Sequence, residues 1–254
     1  MSGNQRETRL ASRAVQVAFL IALLVLWYLA TTRWRVSPLL LPNPLVVLRD
    51  FWSILITGEF IGDLRVTLTE FVSAFGIAAS LGLLFGYLIG RSQYRIQIFE
   101  PLFAGIYSVP IILFLPLYVL LFGLGPASKI ALGATIGFFP IALNTIAGFG
   151  YVDRTLVIAA NSMGASDLQL FRYVLLPAAL PIILTGMRMG FTVALLSIIG
   201  SETIASLAGL GHRIVYLAEG MEMAPMFAYI AFVVAIAAIL NTLVSALESR
   251  GRRR

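Results

Sequence analysis

What most restricts this chain is where its charges are missing. Residues Ala14 to Thr32 carry no charged side chain, and similar runs recur from Phe71 to Gly90, between Glu100 and Lys129, between Lys129 and Asp153, and from Met223 to Leu247. The run from Pro177 to Ser201 holds one charge, Arg188. Spanning a bilayer's hydrocarbon core as a helix takes about 20 predominantly apolar residues. The runs therefore predict six membrane helices, over 14–32, 66–90, 101–124, 129–152, 177–201 and 223–247. Composition agrees: 59% of residues are hydrophobic, 12% are charged, and the mean hydropathy is +0.94. A soluble domain has about 25% charged residues, so a water-soluble globular enzyme, a disordered regulator and a coiled coil are excluded.

The first run follows Arg6, Arg9 and Arg13, the charge order of a signal peptide. Its apolar part is too long, and Tyr28-Leu29-Ala30 lacks a small–x–small cleavage pattern, so it is expected to remain as a helix. The domain reading is a short segment 1–13, a membrane domain 14–248 and a basic tail 249–254. Sidedness follows from the basic residues. One set of connections holds Arg6, Arg9, Arg13, Arg91, Arg95, Arg154, Arg172, Arg250 and Arg252–Arg254. The other holds Arg33, Arg35, Arg49, Arg65, Lys129 and Arg213. The richer side is expected to be cytoplasmic, which puts both termini there. On the outer side, Leu41-Pro42-Asn43-Pro44 forbids helix locally, and Leu45 to Ile56 is predicted to form a short surface helix.

Along the second span Ala74, Ala78, Gly82, Gly86 and Gly90 form a small-residue stripe of period four. In lipid such a stripe lets two helix backbones approach closely, so it is expected to be a packing seam. The third span carries Pro110 and Pro116 and is expected to bend.

Catalytic chemistry is sparse. There is no cysteine, and the single histidine, His212, removes any two-histidine metal motif and is expected in an outer loop. The stretch Gly123 to Ile130 resembles a phosphate loop only loosely: Ser128 stands where the second glycine belongs and Ile130 where a hydroxyl would hold Mg²⁺. Lys129 is the chain's only lysine, so no other position supplies such a loop. No basic–aromatic interleaving suggests nucleic acid. Neither a bound cofactor nor catalysis in this polypeptide is expected.

The connection 153–176 is more informative. Gly164 is expected to break one short helix, and Ser166 or Asp167 to cap a second running through Phe171 to Leu176. Pro177 then opens the next membrane helix, where a missing N–H costs nothing. Leu168, Phe171 and Leu175 fall on one face at i, i+3 and i+7. By periodicity alone, this helix serves equally well lying in the lipid headgroups.

The segment Ala159, Ala160, Gly164, Val174, Leu176, Pro177 resembles the EAA loop of ABC-transporter permease subunits, with every interval kept and Ile158 where that pattern has Glu. Leu41-Pro42-Asn43-Pro44, Phe122-Gly123-Leu124-Gly125 with Lys129, and Phe139-Pro140-Ile141 with Asn144-Thr145 extend the likeness. So do Thr185-Gly186-Met187-Arg188, Glu202 and Gly209-Leu210-Gly211. Together they resemble the nitrate/sulfonate/taurine-type permeases of binding-protein-dependent importers over residues 38–248.

The resemblance implies an all-α polytopic membrane protein of type I ABC importer permease fold, with about six spans and a cytoplasmic coupling helix. It implies the membrane pathway of an ATP-driven importer, multi-pass in a bacterial or archaeal cell membrane. A second permease copy, two ABC ATPase subunits that hold ATP and Mg²⁺, and an extracytoplasmic binding protein would complete it. The expected cargo is a nitrate-, sulfonate- or taurine-like anion or a related small nutrient. The expected ATPase-coupling residues are Ala159, Ala160, Gly164, Ala165, Ser166, Leu168, Phe171 and Pro177. The candidate pathway residues are Tyr107, Ser108, Asn144, Thr145, Arg188, Ser197 and Glu202. A stand-alone secondary carrier or channel is the alternative. Against it, the halves show no inverted repeat, and no helix carries paired acids suited to ion coupling.

Overall fold

Helices make up every regular element among the described residues. The computed structural model describes residues 2–34 and 36–251. Arg35 of the expected outer connection and Arg252–Arg254 of the expected basic tail lie outside the described residues. In chain order the helices are α1 (Ser2–Thr32), α2 (Pro44–Thr57), α3 (Phe60–Gly90), α4 (Gln93–Tyr107), a 3-10 turn (Ile111–Phe114) and α5 (Leu115–Phe122). There follow α6 (Pro126–Gly150), α7 (Arg154–Ser162), α8 (Asp167–Leu170), a π-helical turn (Phe171–Leu175), α9 (Leu176–Ile204), α10 (Leu210–Glu219) and α11 (Met223–Gly251). Among the described residues five helices are long and apolar enough to cross a membrane, and α4 with the 3-10 turn and α5, bent by 71°, makes a sixth when counted as one span.

The chain divides into two compact units. One comprises Met1–Phe60 with Arg213–Phe232. In it the expected short helix forms as α2, starting one residue earlier, at Pro44: the Asn43 side chain accepts the Leu45 N–H at 2.9 Å and Pro44 occupies the first turn. The Trp27 indole N–H donates to the Pro42 carbonyl at 3.0 Å, tying α1 to the approach to α2. The Phe232 ring packs against Phe60 at 4.3 Å, and the Arg213 guanidinium lies over the rings of Tyr216 and Tyr229. From Ala14 to Thr32 most of α1 is exposed, as suits a helix whose surroundings are apolar.

The other unit comprises Ile61–His212 with Val233–Arg254. Its centre is α6, packed between α3 and α9. The α3 stripe Ala74, Ala78, Gly82, Gly86 and Gly90 is buried throughout. It meets Gly133, Gly137, Ile141, Thr145 and Phe149 of α6 in constant register, so the two helices run parallel. A Cβ on Gly82 would come within 2.8 Å of Ile141, and one on Gly86 would collide with Thr145. The same glycines of α6 also meet α9, in antiparallel order, with Gly133 against Ile198 and Gly137 against Ala194, and Asn144 lies against Gly186. Backbone proximity thus replaces bulky interdigitation along both seams, the arrangement available where apolar burial no longer drives association. An aromatic cluster of Phe71, Phe75 and Phe191 fills the space beside them.

Three expectations change. Helix α6 begins at Pro126, which suits a first helical turn, so Lys129 lies inside the helix and fully buried, not in an outer connection. His212 lies on α10, half-buried, and not in a loop. Pro177 stands in the first turn of α9, as expected, but the π turn joins α8 to α9, so residues 167–204 form one uninterrupted helical stretch where a separate second helix is expected. The π turn accounts for the continuity: the Leu176 N–H reaches Phe171 O, and the widened turn absorbs the donor that Pro177 lacks. The third span does bend, but at a true break over residues 108–110.

Candidate functional site

The connection 153–176 is built from local capping. The Asp153 side chain accepts the Thr155 N–H at 2.8 Å to start α7, and that bond holds its carboxyl below the usual carboxylate range. Helix α7 ends at Gly164, whose φ of 78° lies where a side chain is strained. The Ala165 N–H returns to Ala160 O at 3.1 Å and closes the turn. A capping box then starts α8: the Ser166 N–H donates to Gln169 Oε1 at 2.8 Å, and the Gln169 N–H donates to Ser166 Oγ at 3.4 Å. Of the two sequence alternatives, Ser166 is the cap.

The eight expected coupling residues divide by environment. Ala159, Gly164, Ser166, Leu168 and Pro177 are exposed, Ala165 and Phe171 are half-buried, and Ala160 is buried. Leu168 and Phe171, expected on one free face, part company. Leu168 is 73% exposed, whereas the Phe171 ring packs 5.2 Å from Tyr87 of α3 and 6.1 Å from Phe149 of α6. The exposed large apolar side chains of this segment are Leu156, Ile158, Met163, Leu168 and Tyr173.

At the opposite end of α3 lies a polar cluster that sequence reasoning did not assemble. Glu70, Lys129, Thr67 and Glu202, from three helices, are each at most 2% exposed. The Thr67 hydroxyl donates to Glu202 Oε1 at 2.7 Å and accepts the Leu210 N–H at 2.9 Å, while the Gly211 N–H donates to Glu202 Oε2 at 2.8 Å. Asp63 Oδ1 accepts the Gly209 N–H at 3.3 Å. Three successive backbone donors of the Gly209–Gly211 turn are thereby received by side chains of α3 and α9. Glu202 leaves no room for a Cβ at Gly209, where φ is 105°. The Lys129 ammonium donates to the carbonyls of Leu124 and Gly125. The available sequence signal was the spacing of Asp63, Thr67 and Glu70 at i, i+4 and i+7, one helix face.

The remaining candidates do not converge. Thr145 is buried in the α3–α6 seam, with its hydroxyl donating to Ile141 O, and Ser197 is buried on α9. Asn144 donates to Pro140 O at 2.8 Å and faces the Met189 sulfur. Tyr107 stacks on Phe139, Ser108 sits at the break of the bent span, and Arg188 is exposed on α9. Among the described residues no three His, Asp or Glu side chains are grouped to hold a metal ion.

Comparison with known proteins gives a consistent picture. Residues 78–253 match the family described as binding-protein-dependent transport system inner membrane component. The chain is 34% identical to the taurine transport system permease protein TauC of Escherichia coli, over 93% of this chain and 88% of that protein. It is 30% identical to the putative aliphatic sulfonates transport permease protein SsuC of Bacillus subtilis, over 90% of this chain and 83% of that protein. In fold it resembles a chain of a crystallised amino acid ABC transporter, with a TM-score of 0.62 and 24% identity, covering 80% of this chain and 98% of that one.

Proposed function

As a member of the binding-protein-dependent transport system inner membrane components, this chain is the permease subunit of an ABC importer, and we propose that its cargo is a small sulfonate-, nitrate- or taurine-like anion. The observation that carries the cargo class is the likeness to the taurine permease along nearly the whole chain. Two copies of this chain would form the pathway, with two ATPase subunits on the cytoplasmic side and a binding protein delivering cargo from outside. ATP and Mg²⁺ belong to the ATPases, and this chain takes no cofactor. Both termini and the connection 153–176 are cytoplasmic, in keeping with the bias of arginines.

In this reading the exposed surface of α7, Gly164 and α8 docks on the ATPase. Closure of the ATPase pair then moves the surface as a rigid body, and the membrane helices switch between inward-open and outward-open states. The continuity of residues 167–204 supports this, because a displacement at Ser166 is passed along one helix into the membrane. Of the pathway candidates, Ser108, Tyr107, Asn144 and Arg188 retain access to one, whereas Thr145, Ser197 and Glu202 support the packing around it.

The test is reconstitution of the permease with its ATPase and binding protein in liposomes, with ATP-dependent uptake of taurine, alkanesulfonates and nitrate measured. Binding of the same compounds, and of pyrimidine and flavin compounds, to the binding protein identifies the cargo. Uptake by the permease without ATPase would establish a stand-alone carrier instead.

A further inference from the structure

Two hollows of the first unit open side by side where α1 ends and α11 begins, a place that the cytoplasmic position of both termini puts on the outer face. The first, of about 460 Å³, runs between the α1–α2 connection and the α10–α11 turn, with Pro38, Leu39 and Leu41 on one side and Met221 and Met223 on the other. The second, of about 170 Å³, has Asp50, Glu59, Glu222 and Arg213 in its wall, and Glu222 and Pro225 belong to both. Carboxylates thus outnumber the one guanidinium, which lies over the rings of Tyr216 and Tyr229. Among the described residues none of the three carboxylates forms a side-chain hydrogen bond or an ion pair.

The turn beside them is strained. Met221 has a φ of 58°, the one positive value outside glycine among the described residues. Its N–H bonds to Ala218 O and the Glu222 N–H to Leu217 O, the helix ending in which glycine ordinarily takes the left-handed place. The strain holds a methionine that is 65% exposed, opposite an exposed Leu39. Anionic lipid headgroups would be repelled by three unpaired carboxylates. A protein surface carrying a basic side chain beside an apolar one matches both hollows.

We propose that this face is where the extracytoplasmic binding protein docks. A lysine or arginine of that protein enters the hollow between Asp50, Glu59 and Glu222, and an apolar side chain next to it enters the groove against Leu39 and Met221. The inference rests on the importer reading, which calls for a binding protein but does not say where it lands.

The test titrates the binding protein against the complete importer in liposomes and follows ATP-dependent uptake. Glu222→Lys and Asp50→Lys should each raise the half-saturating concentration of binding protein about tenfold or more, with the rate at saturation retained. Glu219→Lys makes the same charge change at an exposed α10 residue outside both hollows and should shift it by less than about twofold. Met221→Gly relieves the strained turn and so folds at least as well as the natural chain, yet should raise the half-saturating concentration about threefold through the lost contact. Added salt should raise it in the unsubstituted importer and much less in Glu222→Lys. Equal shifts in all three lysine variants, or none in Glu222→Lys and Asp50→Lys, overturn the docking surface. So does a lower rate at saturation with an unchanged half-saturating concentration, which would place the hollows in a step after docking. Dissociation of the permease pair by Met221→Gly, read by gel filtration, would give the groove to a second copy and overturn it too. Absence of ATP-dependent uptake by the unsubstituted chain at every binding-protein concentration would instead defeat the importer reading itself.

Discussion

Thr67 and Glu202 stand 135 residues apart in the chain and share a 2.7 Å hydrogen bond that binds α3 to the end of α9. The same hydroxyl accepts the Leu210 N–H and the same carboxyl accepts the Gly211 N–H, so two side chains hold the turn that follows α9. Thr67→Val keeps the shape but removes the hydroxyl, leaving the buried Leu210 N–H without a partner. A loss of about 1–3 kcal/mol is expected, with Thr67→Ser restoring most of it. Thermal unfolding of the purified permease in detergent reads the difference. Equal midpoints for Val and wild type would show that the bond contributes nothing.

The α3–α6 seam makes a sharper steric demand. Gly82→Val should prevent the backbones from meeting, because the added carbons enter space held by Ile141. Overpacking of this kind costs about 1–3 kcal/mol, and the yield of folded protein should fall. Gly76→Val on the same helix meets nothing within 4 Å and should be tolerated. Similar behaviour of the two variants in a gel-filtration assay of folded protein would contradict the seam.

Gly164 tests the connection 153–176. Its φ of 78° strains any residue with a side chain, by about 1–2 kcal/mol. Gly164→Asp should abolish uptake, adding charge as well as strain at the proposed ATPase contact, while membrane insertion stays normal. Unchanged uptake by this variant would falsify the coupling role.

Asp153 gives the same segment a pH dependence. Its folded carboxyl lies below the ordinary value of 3.8 because it accepts the Thr155 N–H. The cap's contribution is therefore complete above that value and is lost as pH falls through the folded pKa. The first turn of α7 should fray on acidification, read as faster amide exchange at residues 154–156 relative to Asp153→Asn at each pH. An asparagine caps without titrating, so parallel behaviour of the two proteins would remove Asp153 from the account.

Much of this was legible because the evidence is periodic or local. Charge-free runs mark the spans, the four-residue stripe marks the α3 seam, and Ser166 carries its cap in its own chemistry. What was hidden depends on contacts between distant segments. Lys129 reads as a charge between two runs until Pro126 draws it into α6. The continuity of α8 with α9 across Pro177 is hidden because nothing in the sequence announces a π turn. Glu70 and Glu202 each look like a charge near a span end, and only the packing of α3, α6 and α9 makes them neighbours.

Phe171 shows how such a contact could carry force. It opens the π turn, and its ring sits with Tyr87 of α3 and Phe149 of α6, which are themselves 5.1 Å apart. An aromatic cluster of this kind contributes about 0.5–1.5 kcal/mol per pair beyond burial, enough to make the start of the long helix move with α3 and α6. Phe171→Ala leaves the exposed docking side chains untouched but frees the helix from its anchor. ATP hydrolysis by the complete importer should then continue while uptake per ATP falls, and Phe171→Leu should recover part of the uptake. A parallel loss of both activities would instead mean that Phe171 maintains the docking surface itself, and unchanged uptake per ATP would mean that the long helix transmits motion without this anchor.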